Sequence, residues 1–192
     1  FIPISKTYNL QLTTLPRLLT SRTKILALTH ISNVLGTINP IEKIIRIAHK
    51  KGAPVLVDGA QAGGHVKIDV QKLGADFYIL SGHKMYGPTG VGILYGREEL
   101  LEKMPPYQYG GHMIKRVSMD PGSSPGHRRE LRLAWNDLPY KFEAGTANIA
   151  EVVGLGAAVD FLTPSLLQRE GWGELLEHEK KLTTYALEQL QK

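Results

Sequence analysis

Two short apolar runs, Val55-Leu56-Val57 and Phe77-Tyr78-Ile79-Leu80, each stop abruptly at a polar, glycine-containing tetrad. Asp58-Gly59-Ala60-Gln61 follows the first, and Ser81-Gly82-His83-Lys84 follows the second. Runs of this length without polar alternation read as strands covered on both faces, which occur where helices flank a mostly parallel sheet. The pattern points to an α/β architecture. It also says where chemistry belongs, because open α/β sheets bind ligands beyond the carboxyl ends of their strands. Two neighbouring strand ends would offer a carboxylate, an amide, a hydroxyl, an imidazole and an amine to one crevice.

The rest of the chain agrees with a mixed, mostly parallel sheet flanked by helices. Leu12 to Leu19 reads as a short helix or turn, and Lys24 to Thr29 as a first buried strand ending at His30-Ile31-Ser32-Asn33. Asn39 as N-cap and Pro40 as first helical residue would open a helix. Its apolar stripe is Ile41, Ile44, Ile45 and Ala48, and Lys50-Lys51-Gly52 would stop it. Val91 to Tyr95 follows Leu80 closely enough to be an antiparallel neighbour. Glu98 to Lys103 predicts a short helix broken by Met104-Pro105-Pro106. Residues 120–127 are nearly all turn formers, which predicts an exposed loop over about 120–133. Helices are expected from Ile149 to Leu162, with Pro164 as punctuation, and again from Gly173 to Lys192.

Composition narrows the functional classes. The 192 residues are 42% hydrophobic, enough for a packed core, and no apolar run approaches the roughly 20 residues of a membrane span. The net charge of +5 is scattered, and its one dense patch is Lys115-Arg116 with Arg128-Arg129 and Arg132. That patch reads as a solvated basic loop rather than a nucleic-acid site. No basic leader with a small-residue cleavage site opens the sequence, so a cytoplasmic protein is expected, an organelle remaining compatible. The absence of cysteine removes disulfides, thiolate metal sites and any thiol nucleophile from these residues. The histidines have no tight ligand spacing: His30, His65 and His112 would meet only through folding, and no metal site is expected.

The two tetrads together carry the chemistry. A lysine just past a buried strand can form a Schiff base, a carboxylate can partner a pyridinium nitrogen, and a Ser/His pair can face a phosphate. This is the equipment for pyridoxal phosphate (PLP). Each residue alone has a plainer reading. Lys84 could be a solvated surface charge, Asp58 a turn or cap residue, and Asn33 either a ligand contact or a turn stabiliser. Gly87-Pro88-Thr89-Gly90-Val91-Gly92 lacks the Gly-Lys-Ser/Thr and the following helix of a P-loop, so its glycines read as serving a strand connection.

Four separated segments carry a family resemblance. They are Thr29-His30-Ile31-Ser32-Asn33-Val34-Leu35-Gly36, Val57-Asp58-Gly59-Ala60-Gln61, Ser81 to Gly90, and Phe142-Glu143-Ala144-Gly145-Thr146. In this order the chain is similar to the Suf-type cysteine desulfurase and selenocysteine lyase group. That group belongs to the class V aminotransferases, with the fold-type I PLP architecture. The resemblance implies that Lys84 holds PLP as a Schiff base and then moves protons. It implies that Asp58 pairs with the pyridine nitrogen and that Gln61 contacts the phenolic oxygen. Asn33 would contact that oxygen or the substrate carboxylate, and Ser81 and His83 would hold the phosphate. Thr146 would reach the phosphate of the partner in a homodimer. The implied substrate is L-cysteine or selenocysteine, with sulfur passed as persulfide to an acceptor protein for iron–sulfur assembly.

The resemblance also sets out what is not here. The family's upstream segment, with its cofactor-stacking histidine and phosphate loop, is absent, and so is the downstream small domain with the sulfur-accepting cysteine. The expectation is therefore a partial PLP-binding large domain over 1–163, and a helix over 164–192 leading toward a small domain. Such a piece would be inactive alone. The alternatives are another class V lyase or aminotransferase, and a non-catalytic fragment acting as an interaction module.

Overall fold

The computed structural model describes residues 1–119, 131–163 and 172–191. They divide into two compact units, Phe1–Arg97 with Ala150–Lys192, and Glu98–Ile149.

The first unit begins with the one-turn helix α1 (Leu15–Leu18) and strand β1 (Leu26–Thr29). Helix α2 (Ile41–His49), β2 (Val55–Asp58), the short helix α3 (Val70–Leu73), β3 (Phe77–Ser81) and β4 (Gly92–Gly96) follow. These strands form a four-stranded sheet in the order β1-β2-β3-β4. β1 and β2 are parallel, as are β2 and β3, while β4 returns antiparallel to β3. The expected α/β architecture is the one observed. Thr29 stands opposite Asp58, so β1 and β2 end side by side, while Asp58 stands opposite Ile79 and β3 runs two residues further to Ser81.

Nine residues are too few for a stable helix in water, so α2 depends on its buried face. Ile41, Ile44, Ile45 and Ala48 pack with Leu15, Val55, Val57 and Tyr78 into one core. Each large side chain buried this way contributes about 1.5–3 kcal/mol. The start of α2 departs from expectation. Pro40, not Asn39, is the cap, and no side chain caps the helix. The Asn39 amide instead donates to the carbonyl of Thr29 at 2.8 Å, satisfying the end of β1. Before β3, Asp76 is only 5% exposed and joins several elements. Its Oδ2 accepts from the Val55 N–H at 2.7 Å and from His49 Nε2 at 2.6 Å, and Arg97 Nε lies 3.3 Å from Oδ1.

Two later helices complete this unit, α5 (Ile149–Leu162) and α6 (Trp172–Leu190), the first with the bounds expected. Leu155 and Leu162 of α5 join Met85 in a second small core, with Leu80, Val91, Val159 and Leu175 at its margin. The segment after Lys84 is thus seated on apolar packing.

The second unit holds α4 (Glu98–Leu101) and the antiparallel pair β5 (Ile114–Met119) and β6 (Leu131–Trp135). The hairpin corrects the expectation of a loop over 120–133, since 131–133 are strand. Residues 120–130, including Arg128-Arg129, lie outside the described residues, as do Pro164 and Lys192. Lys115 and Arg116 of the basic patch are exposed, but on a strand rather than a loop, and Lys115 is paired to Asp137 at 2.8 Å. Lys141 is buried, and its ammonium donates to the carbonyls of Leu101 and Glu102, just where α4 ends.

Candidate functional site

Asp58 is the last residue of β2 and is half-buried. Its Oδ1 accepts the Ala60 N–H at 3.0 Å, and among the described residues no other group bonds the carboxylate. Its backbone is held on both sides. The Asp58 carbonyl accepts the His30 N–H at 2.8 Å, and the following Gly59 N–H donates to the Ile79 carbonyl at 2.9 Å. Gln61 lies in the turn after it, half-buried, with its amide uncommitted among the described residues.

Ser81 ends β3, and Gly82–Lys84 make one tight helical turn directly afterwards. The Ser81 hydroxyl and His83 Nδ1 lie 3.1 Å apart, which leaves an exposed imidazole and a hydroxyl beside each other at a strand end. Lys84 is half-buried, and its ammonium bonds no described residue. Gly64 brings the two strand-end loops together: a Cβ there would stand 2.7 Å from the Lys84 carbonyl oxygen. Adjacent strands and this contact thus place Asp58, Gln61, Ser81, His83 and Lys84 at or just beyond the carboxyl ends of β2 and β3.

Asn33 is more loosely connected. It lies exposed in the turn beyond β1, where the Ser32 hydroxyl accepts the N–H groups of Val34 and Leu35. Its own amide bonds no described residue. Thr146 belongs to the second unit, exposed beside Gly145, whose N–H donates to the Gly111 carbonyl at 3.0 Å.

Two polar clusters next to these residues were not expected from sequence. Below Asp58, His30 Nδ1 and the Tyr78 hydroxyl share a 2.7 Å hydrogen bond, with His30 9% and Tyr78 1% exposed. Burial lowers the His30 pKa below its usual 6.5. Burial, then the negative charge of Asp58, raises that of Tyr78 above its usual 10.0. The signal was a hydroxyl-bearing side chain, Tyr78, inside an otherwise apolar run, since a buried phenol requires a partner. The second cluster is centred on Glu179 of α6. Its carboxylate accepts from the Tyr86 hydroxyl at 3.1 Å and from His65 Nδ1 at 3.1 Å. Burial, then the hydrogen bond to Glu179 and its charge, raises the Tyr86 pKa. Of the three histidines considered for a metal, His30 and His65 are engaged in these two clusters. No group of three or more His, Cys, Asp or Glu among the described residues could hold a metal ion.

An acid, an amide, a hydroxyl–imidazole pair and an amine at adjacent strand ends of such a sheet define a class of protein with known relatives. Residues 1–192 match the family Aminotransferase class-V, and the chain belongs to that family. It is 48% identical over 190 residues to a cysteine desulfurase of Escherichia coli O157:H7, covering 99% of this chain and 43% of that protein. A cysteine desulfurase of Shigella sonnei matches to the same extent. Among solved structures, the cysteine desulfurase CsdA from Escherichia coli superposes with a TM-score of 0.74 at 44% identity, over 84% of this chain and 38% of that one. The apo cysteine desulfurase of Thermococcus onnurineus NA1 superposes with a TM-score of 0.83 at 36% identity, over all of this chain and 44% of that one. The chain therefore spans less than half the length of these relatives.

The residues present fit PLP. The donor set supplies one carboxylate for a cationic ring nitrogen, one primary amine for a carbonyl, and a hydroxyl and imidazole for a phosphate. The carboxylate keeps an oxygen free, and the amine and the Gln61 amide make no hydrogen bond with any described residue, so all three are available to a ligand.

Proposed function

We propose that these residues are the PLP-binding portion of a cysteine desulfurase, which converts L-cysteine to L-alanine and passes on the sulfur. The observation that carries the reading is the placement of Asp58, Ser81, His83 and Lys84 at the ends of the adjacent strands β2 and β3. They stand so in a chain 48% identical to cysteine desulfurases.

Bound PLP supplies an electron sink for the substrate's α-carbon. The roles of the protein groups follow from their chemistry. The Asp58 carboxylate would hold a proton on the ring nitrogen across a charge-assisted hydrogen bond, the stronger kind of hydrogen bond. Ser81 and His83 bind phosphate oxygens. Gln61 and Asn33 orient the ring and the substrate by donating amide N–H groups. Lys84 would hold the cofactor through Nζ, and that nitrogen is the group placed to accept and return protons. Thr146 would serve a second copy of the site in a homodimer. These 192 residues contain no cysteine, so the sulfur-accepting thiol and the onward acceptor protein lie outside them.

Reconstitution with PLP tests the reading. Protein containing this sequence should gain the visible absorption of lysine-bound PLP, and Lys84→Ala should abolish that band while leaving far-UV circular dichroism unchanged. Well-folded protein with no such band would overturn the cofactor assignment. Full-length protein should then release alanine from L-cysteine, and the same protein carrying Lys84→Ala should not.

A further inference from the structure

Beneath Asp58 lies a buried polar pair that the chemistry above does not use. Tyr78 stands on β3 one residue before Ile79, the partner of Asp58. Its ring lies where the side chain of residue 59 would be: a Cβ on Gly59 would overlap the ring and stand 2.5 Å from the hydroxyl oxygen. From there the hydroxyl reaches His30 Nδ1 at 2.7 Å, the two rings meeting edge to face at 6.0 Å. His30 follows β1, and its N–H donates to the Asp58 carbonyl. One side-chain bond therefore runs from the residue just past β1 to the second residue of β3, and Asp58-Gly59, at the end of β2, is the segment between them.

Two apolar side chains of the same shape would fill this space without the desolvation cost of buried polar groups. What the polar pair adds is direction. A hydrogen bond at this length admits one orientation of the Tyr78 ring, and the ring in turn sets the position of the Asp58-Gly59 peptide above it. The pair also carries no charge near neutral pH, because burial opposes both the imidazolium and the phenolate and Asp58 further opposes the latter. A cation in this place would compete for the carboxylate; a neutral pair leaves it to the ligand.

Resting on the PLP reading above, we infer that His30 and Tyr78 are positioning residues for Asp58. They fix the Asp58-Gly59 peptide, and with it the carboxylate that would meet the cofactor's ring nitrogen. The hydroxyl–imidazole bond is the operative element, not the bulk of the two rings.

The test uses full-length protein containing these residues, prepared with and without PLP. Tyr78→Phe and His30→Leu delete the bond and keep the volume; His30→Gln keeps a side chain able to bond the phenol. Tyr78→Phe and His30→Leu should each weaken PLP binding about tenfold, and His30→Gln should remain within about threefold of wild type. With 15N-labelled cofactor, the ring-nitrogen resonance should move toward the unprotonated position in the first two variants and stay in place in the third. Unchanged affinity and resonance in Tyr78→Phe and His30→Leu would overturn the inference, as would equal losses in His30→Leu and His30→Gln. If Tyr78→Phe does not fold, the comparison of the two His30 variants decides alone. Asp58→Ala separates the two levels. Wild-type PLP binding in that variant would sink the cofactor reading itself. A loss there, with Tyr78→Phe and His30→Leu unaffected, would remove only the positioning role.

Discussion

Gly59→Ala is the smallest change that should disturb fold and site together. A methyl on residue 59 would fall within the Tyr78 ring, overlapping Cε1 and Cζ, with the hydroxyl oxygen at 2.5 Å. Ordinary contacts begin near 3.4 Å, so Cε1 and Cζ must yield by an ångström or more and the hydroxyl oxygen by nearly as much. The ring has nowhere to go: Tyr78 is 1% exposed, sits on an interior strand, and is tied to His30 through its hydroxyl. Overpacking of this kind costs about 3 kcal/mol, the upper end of the usual range. The narrower unfolded ensemble of alanine returns about 0.4–1 kcal/mol. A net loss of about 2–3 kcal/mol is expected by urea denaturation followed by circular dichroism. A double-mutant cycle with Tyr78→Ala isolates the cause. If the clash is with this ring, Gly59→Ala should cost less than about 1 kcal/mol in the Tyr78→Ala background. Gly156→Ala, in α5 with nothing within 4 Å of the added methyl, is the control and should stabilise by about 0.5–1 kcal/mol. Additive costs in the cycle, or a Gly59→Ala loss below about 1 kcal/mol, would refute the argument.

The remaining expectations concern buried polar groups. Asp76→Ala leaves the Val55 N–H without its acceptor inside the core and takes one partner from His49 and one from Arg97, both more than a third exposed. The buried donor dominates, giving a loss of about 2–4 kcal/mol in the same urea assay, and Asp76→Asn should lose markedly less. The His30–Tyr78 pair predicts stability limits at both ends of the pH scale. His30 has a folded pKa below 6.5, so the unfolded chain takes up the proton first; stability present above pH 6.5 is lost as pH falls through that value. Tyr78 has a folded pKa above 10.0, so its contribution is whole below pH 10.0 and is lost as pH rises beyond it. Thermal midpoints measured from pH 5 to 11 should show both limbs, and Tyr78→Phe should weaken the alkaline one, Tyr86 supplying the remainder.

The parts of this fold that were legible in the sequence are those decided by neighbours along the chain. β2 and β3 are short apolar runs closed by glycine-containing tetrads, and α2 and α5 carry a helical pattern long enough to be read. The strand-end placement of Asp58, Ser81, His83 and Lys84 followed from those runs alone. What stayed hidden depends on partners far away in sequence. His30 meets Tyr78 48 residues later, and although a phenol in an apolar run calls for a partner, nothing nearby in sequence says which residue it is. Asn39 has the residue type of a helix cap, but the unsatisfied carbonyl of Thr29 competes for its amide and wins. The β5–β6 hairpin was obscured by Lys115, Arg116 and Arg132, whose charges suggested a loop, although Leu131-Arg132-Leu133-Ala134-Trp135 alternates as a strand does.

Glu179 gives helix α6 a phase as well as a place. Its carboxylate reaches Tyr86, two residues past Lys84, and His65, four past Gln61, so a single side chain latches both loops of the site. An α-helix turns about 100° and rises about 1.5 Å per residue. One residue inserted or removed within α6 ahead of Glu179 would swing the carboxylate to a different side and release both latches at once. A residue added after it would leave them closed. The helix therefore works as a keyed part: tolerant of extension at its far end, intolerant of a change in register at its near one.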